Sequence, residues 1–149
     1  MSVVSVSVEV HAPPDRVWEI VADPRNLTRW DRRIESVEAV PADGLSKGAT
    51  YVTVMRFVAV RARVHAKVLE WDPPHRSRVR LSGLVDATVT TTVTGVDDGT
   101  TLLEHVVDYR FHGGALGDLA ARSLRLLGGA QLALRHGTLA QVRQIERDA

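Results

Sequence analysis

Val4, Val6, Val8 and Val10 alternate with Ser5, Ser7 and Glu9 at the start of the chain. A period of two predicts a half-buried strand beginning near residue 3. Ala12-Pro13-Pro14-Asp15 then reads as a helix start, because proline in the first turn lacks only an N–H that would go unused there. Val17, Trp18, Ile20 and Val21 follow at helical spacing, and Asp23-Pro24 ends the helix. A second short helix is expected over about Arg25 to Trp30.

Beyond residue 33 the pattern changes to strands. Val37–Val40 precede a turn at Pro41-Ala42-Asp43-Gly44, and Ala49–Val58 and Val60–Trp71 are rich in Val and Thr. Asp72-Pro73-Pro74 breaks the run, Arg76–Ser82 resumes alternation, and Ala87–Val96 is again rich in Val and Thr. Asp98-Gly99 is a strong hairpin signal, after which Thr100–Phe111 forms the last strand. Gly113-Gly114 reads as a hinge. From Leu116 onward, Leu119, Leu124, Leu127, Leu134, Leu139, Val142 and Ile145 line one side of a long helix interrupted by Gly128-Gly129. That glycine pair marks either a bend with close approach or a helix break. Strands joined by tight turns imply an antiparallel sheet, and one long helix covering one face makes this an α+β layer pair. No repeat or linker divides residues 1–149, so a single domain is expected.

Composition narrows the chemistry. The chain has 149 residues, 44% hydrophobic and 25% charged, with a net charge of +1 and no cysteine. Disulfide scaffolds, zinc ribbons, iron–sulfur sites and thiol nucleophiles are therefore excluded. The six histidines, at 11, 65, 75, 105, 112 and 136, show no metal-binding spacing, and no metal site is expected. No glycine-rich nucleotide loop or Gly-x-Ser-x-Gly elbow occurs, so no cofactor and no serine nucleophile are expected. No apolar run approaches the ~20 residues of a spanning helix. The N-terminus lacks the pattern of a signal peptide, and a cytoplasmic location is expected.

Several pieces occur in a specific order: Ala12-Pro13-Pro14 then Val17-Trp18, Asp23-Pro24, Trp30, Gly48, Glu70-Trp71-Asp72-Pro73-Pro74, Gly99-Thr100-Thr101, and Tyr109 before Gly113-Gly114. With these the chain resembles the START/Bet v1-like (SRPBCC) superfamily, in particular its polyketide cyclase/dehydrase and lipid-transport branch. The resemblance spans nearly the whole chain and implies a helix-grip fold. In that fold a curved seven-stranded antiparallel sheet grips the long C-terminal helix, two short helices follow the first strand, and a ligand cavity lies between sheet and helix. Aromatic-polyketide aromatase/cyclases usually follow the second helix with a segment rich in tryptophan, proline and aromatics. Trp30-Asp31-Arg32-Arg33-Ile34 departs from it, so that group's substrate does not carry over.

Function must then be read from the groups that enter the cavity. In the last strand, Leu103, His105, Val107, Tyr109 and Phe111 share one face without formal charge, so they should point inward. A neutral His105 suits a general acid or base, and Tyr109 suits proton donation or stabilisation of an enolate. A buried, hydrogen-bonded structural histidine is the competing reading. Tyr51, Thr53, Met55 and Phe57 form the bulkier face of their strand, opposite Arg56. Val60, Ala62, Val64, Ala66 and Val68 form an inner face of small residues, with Arg61, Arg63, His65 and Lys67 outside. The ligand-binding candidates are Trp30, Tyr51, Met55, Phe57, Val64, Leu127 and Gln131; Ser123 and Thr138 fall near the same side of the helix as Gln131.

The leading expectation is cofactor-free cyclisation or dehydration of a small hydrophobic or polyketide-like molecule. The alternative is a non-enzymatic carrier or sensor of a lipid, quinone or similar ligand. Charge suggests a further partner. Arg56, Arg61, Arg63, Lys67, Arg76, Arg78 and Arg80 face only Glu70 and Asp72 over their stretch, whereas residues 83–109 hold five acids and no Lys or Arg. This pattern suits either opposite-sign pairing across the outer sheet face or docking of an acidic carrier protein. Nucleic acid is not an expected partner, because the outer strands lack aromatics on which bases would stack.

Overall fold

The computed structural model describes residues 2–57, 60–83, 85–111, 118, 121–122 and 129–148, with the backbone alone for Phe57, Val60 and Asp148. Strand β1 (Ser2–Val10) leads into helix α1 (Pro14–Val21), a 3₁₀ turn (Pro24–Asn26) and the short helix α2 (Leu27–Trp30). Strands β2 (Ile34–Glu38), β3 (Thr50–Phe57), β4 (Val60–Asp72), β5 (Arg76–Ser82), β6 (Val85–Asp97) and β7 (Thr100–Phe111) follow, then helix α3 (Gly129–Asp148).

All neighbouring strands are antiparallel, in the order β1-β7-β6-β5-β4-β3-β2. The sheet is curved and seven-stranded, as the resemblance implies. Register shifts between Ile34 and Ser36, Val68 and Glu70, and Gly95 and Asp97 fall where extra residues bend and twist the strands. Gly83 makes the tight turn between β5 and β6. At its φ of 136° a Cβ would stand 2.7 Å from the Arg63 carbonyl oxygen, so no other residue fits.

Two local expectations shift. Strand β2 occupies Ile34–Glu38 rather than Val37–Val40, because Ala39 adopts a left-handed φ of 59° that ends it. The φ of 84° at Gly129 is incompatible with a right-handed helix running through it, and α3 begins there. The expected stripe residues Leu116, Leu119, Leu124 and Leu127, and Ser123, lie outside the described residues.

The core sits where the helices cross the C-terminal end of β1 and the facing strands. Val10, Val17, Trp18, Ile20, Trp30, Val93, Leu103 and Ile145 form one buried cluster, and Trp71 meets Trp18 edge-on with ring centroids 5.1 Å apart. The Thr101 hydroxyl, fully buried, donates to the Ala12 carbonyl at 2.7 Å and ties β7 to the start of α1. Helix α3 is pinned near both of its ends. Trp30 Nε1–H donates to Gln144 Oε1 at 2.8 Å, and Gln131 Nε2–H donates to the Ser5 carbonyl at 2.8 Å. Leu139, expected on the apolar stripe, is 36% exposed and turns away from the sheet.

Candidate functional site

The strand registers set side chains in rows across the concave face. One row runs His105, Thr91, Ser77 and Trp71 through β7, β6, β5 and β4. The next on that face is Val107, Val89, Val79 and Val68, and beyond it come Tyr109, Ala87, Leu81, Ala66 and Tyr51. A strand pair is ~4.8 Å apart, so each row is a shelf several side chains wide. Ala87 leaves a hollow in the third shelf. Opposite, α3 presents Ala130, Ala133, Leu134, Gly137, Thr138 and Gln141. Small residues on both walls leave a cavity of ≈ 320 Å³. That lies at the small end for ligand sites and suits a compact molecule.

His105 sits at the closed side of this cavity, 5% exposed. Its Nε2 lies 2.7 Å from Gln141 Oε1 and its Nδ1 lies 2.9 Å from Thr91 Oγ1. An amide oxygen only accepts, so Nε2 carries the proton and donates to Gln141. The Nδ1 lone pair then accepts from the Thr91 hydroxyl. Burial holds the imidazole below its usual range, against the opposing pull of the Gln141 hydrogen bond, so the ring is neutral. Both ring nitrogens are therefore engaged within the protein.

The other polar lining groups divide by whether protein already satisfies them. At the segment after α2, Arg33 Nε and Nη2 donate to the two carboxylate oxygens of Asp31, a bidentate ion pair that is largely buried. Thr53 donates weakly, at 3.5 Å, to the Val64 carbonyl, and Thr138 donates to the Leu134 carbonyl. Tyr51 is 8% exposed, and burial pushes its phenol up to about 12. Tyr109 meets Phe111 edge-on at 6.0 Å. Among the described residues, no group of three or more His, Asp or Glu side chains could hold a metal ion.

A family model described as polyketide cyclase / dehydrase and lipid transport matches residues 1–134. The chain belongs to this family. An uncharacterized protein of Mycobacterium tuberculosis (strain H37Rv) is 32% identical over 128 residues, covering 84% of this chain and 90% of that protein. Among solved structures, the Zhui aromatase/cyclase from Streptomyces sp. R1128 superposes with a TM-score of 0.78 at 19% identity, covering 98% of this chain and 94% of that one. A START superfamily protein from Mycobacterium smegmatis gives 0.72 at 17% identity, with 99% of both chains covered. At these identities the structural matches establish the fold.

Within this family member, His105, Tyr109, Trp30, Tyr51 and Met55 all line one cavity. Two candidates do not. Val64 is fully buried in a cluster with Val85 and Ala87, against which Met55 and Leu81 pack, and it does not line the cavity. Gln131 is exposed and turned to the edge strand β1, where its amide covers the Ser5 carbonyl. Leu127 and the Phe57 side chain lie outside the described residues. Gln141 and Thr91 are site residues that pattern alone does not single out. A signal for Gln141 exists, since 134, 138, 141 and 145 follow helical spacing on one face. Thr91 has one too, since alternation sets it between Val89 and Val93 on the apolar face of β6.

The outer face also resolves. Arg61 and Arg56 pair with Glu35, Arg63 with Glu38, and Arg76 and Arg78 with Glu70. Five of the arginines are thus ion-paired on the outer face, but by only three glutamates of β2 and β4, so the stretch keeps a net positive charge. Lys67 and Arg80 stand directly opposite one another across β4 and β5. Among the described residues, no helix is long and apolar enough to cross a membrane.

Proposed function

We propose that this protein binds a compact hydrophobic molecule in the cavity between the sheet and α3, and holds it rather than transforms it. One observation carries this reading: His105 has both nitrogens committed to Thr91 and Gln141, so no basic lone pair is presented to a ligand. The apolar shelves of Val79, Val89 and Val107 supply the affinity, through burial worth about 25 cal/mol per Å² of apolar surface. Native mass spectrometry of the protein isolated from its source cells tests this. A bound small molecule is expected, whose release by solvent returns it unchanged. A protein that leaves those cells empty, and binds no hydrophobic probe, rejects the reading.

Cyclisation or dehydration is the second reading, favoured by His105 and Tyr109 lining the same cavity. It requires Thr91 to release Nδ1 so that the imidazole can take a proton from carbon or oxygen of the substrate. Its test is His105→Gln in a folded protein, for which turnover of an identified substrate should be abolished. Unchanged turnover ends the catalytic role of His105. Docking of an acidic carrier protein would use Lys67, Arg80 and the surplus of five arginines over three glutamates, and binding that does not weaken with salt would discard it.

A further inference from the structure

The cavity's polar groups are not equivalent. His105, Thr91 and Trp30 are each hydrogen-bonded to another side chain, and Arg33 is bound by Asp31. Tyr51 is different. It is nine-tenths buried, lines the cavity, and its hydroxyl bonds to no described residue, yet that oxygen is not sealed from space. It stands at the β3 end of the third shelf, where Ala87 lines the cavity, four strands away from Tyr109. A buried hydroxyl kept without a protein partner sacrifices hydrogen-bonding energy unless something else occupies it.

From this we infer that Tyr51 is the anchor for the ligand's polar end, donating a hydrogen bond to an uncharged acceptor oxygen such as a ketone or quinone carbonyl. The inference rests on the ligand-binding reading and adds to it a position and a selectivity. Burial keeps the phenol protonated across the physiological range, so it acts as a donor. A carboxylate ligand, by contrast, meets an unfavourable site. The lining cation Arg33 is already neutralised bidentately by Asp31, and His105 is neutral. An anion moved into that lining loses its hydration without gaining a counter-charge. The cavity therefore selects neutral, acceptor-bearing rings over fatty-acid-like ligands of similar size.

Three probes of one ring system separate these points: naphthalene, 2-acetonaphthone and 2-naphthoate, titrated at pH 7.5 by calorimetry. The wild type should bind the ketone most tightly and the carboxylate most weakly. Tyr51→Phe should lose roughly tenfold in affinity for the ketone and nothing for naphthalene. Tyr109→Phe should change the ketone's affinity less than Tyr51→Phe does. Equal losses for ketone and naphthalene would reduce Tyr51 to a packing residue, and naphthoate binding as tightly as the ketone would reject the selectivity. Naphthalene bound with the ketone unaffected by Tyr51→Phe overturns this inference alone. If none of the three binds the wild type, the ligand-binding reading falls and takes this one with it. Far-ultraviolet circular dichroism confirms that each variant is folded before it is scored.

Discussion

The concave face of the sheet is solid at one end and hollow at the other, although the same strands and the same alternation build both. At the solid end, Leu103 of β7 and Val93 of β6 are closed over by Val17 and Trp18 of α1 and Ile145 of α3. At the hollow end, Tyr109 and Ala87 of the same two strands face Ala130, Ala133 and Gly137 of α3 across open space. The difference lies in the side chains that the helices bring, not in strand pattern. At the solid end the helices bring Val17, Trp18 and Ile145 and the interior packs to crystal-like density; at the hollow end α3 brings alanine and glycine, and a void stays open. Stability and binding are thereby assigned to different ends of one layer.

Truncation should separate the two ends most sharply. Leu103→Ala removes a fully buried side chain from the solid end and should cost about 2–5 kcal/mol by urea denaturation. Leu81→Ala, a partly buried neighbour of the cavity, should cost less than half as much. Equal costs would mean that the hollow end is packed as tightly as the other. Thr101→Val, which leaves the Ala12 carbonyl unpaired inside the solid end, should cost about 1–3 kcal/mol with little effect on ligand affinity.

His105 lies between the two ends, and its titration sharpens the comparison. The unfolded chain takes up a proton there as the pH falls through about 6.5. The folded chain, with the imidazole held lower by burial, does not yet do so. Its contribution is thus complete above that pH and is lost as the pH falls below it, by at most about 1.4 kcal/mol per unit. Denaturation at pH 7.5 and 5.5 should show a steeper loss for wild type than for His105→Gln. Parallel losses would place a charged imidazole in the fold.

The smallest effect has the opposite sign. Among the described residues, a Cβ at Gly137 meets only the Trp30 carbonyl oxygen, at an ordinary 3.8 Å. Gly137→Ala should therefore raise stability by about 1 kcal/mol through helix propensity while narrowing the cavity and weakening bulky ligands. A destabilised Gly137→Ala would show that α3 lies closer to its neighbours than this.

Much of this architecture is legible in the residue pattern alone. The inward set His105, Val107, Tyr109 and Phe111 follows from alternation and charge, as do the outward Arg61, Arg63, His65 and Lys67, because a strand must send neighbours to opposite faces. Pattern misplaces Val64 and Gln131 for a reason common to both. Alternation and helical spacing give a side, but not what stands opposite it. Val64 is on the inner side and is nonetheless packed into a cluster with Met55 and Leu81, while Gln131 finds a strand-edge carbonyl instead of the cavity.

The sequence by itself determined the element order, the turns and the faces of the strands. These depend on local sterics and on period, both written within a few residues. Only the tertiary structure decided that His105 is held by Thr91, 14 residues away, and by Gln141, 36 residues away, while the Tyr51 hydroxyl bonds to no described residue. Strand register and the docking of α3 set those partnerships. Hydrogen bonds of ~3 Å tolerate errors far smaller than any pattern of hydrophobic and polar positions can specify.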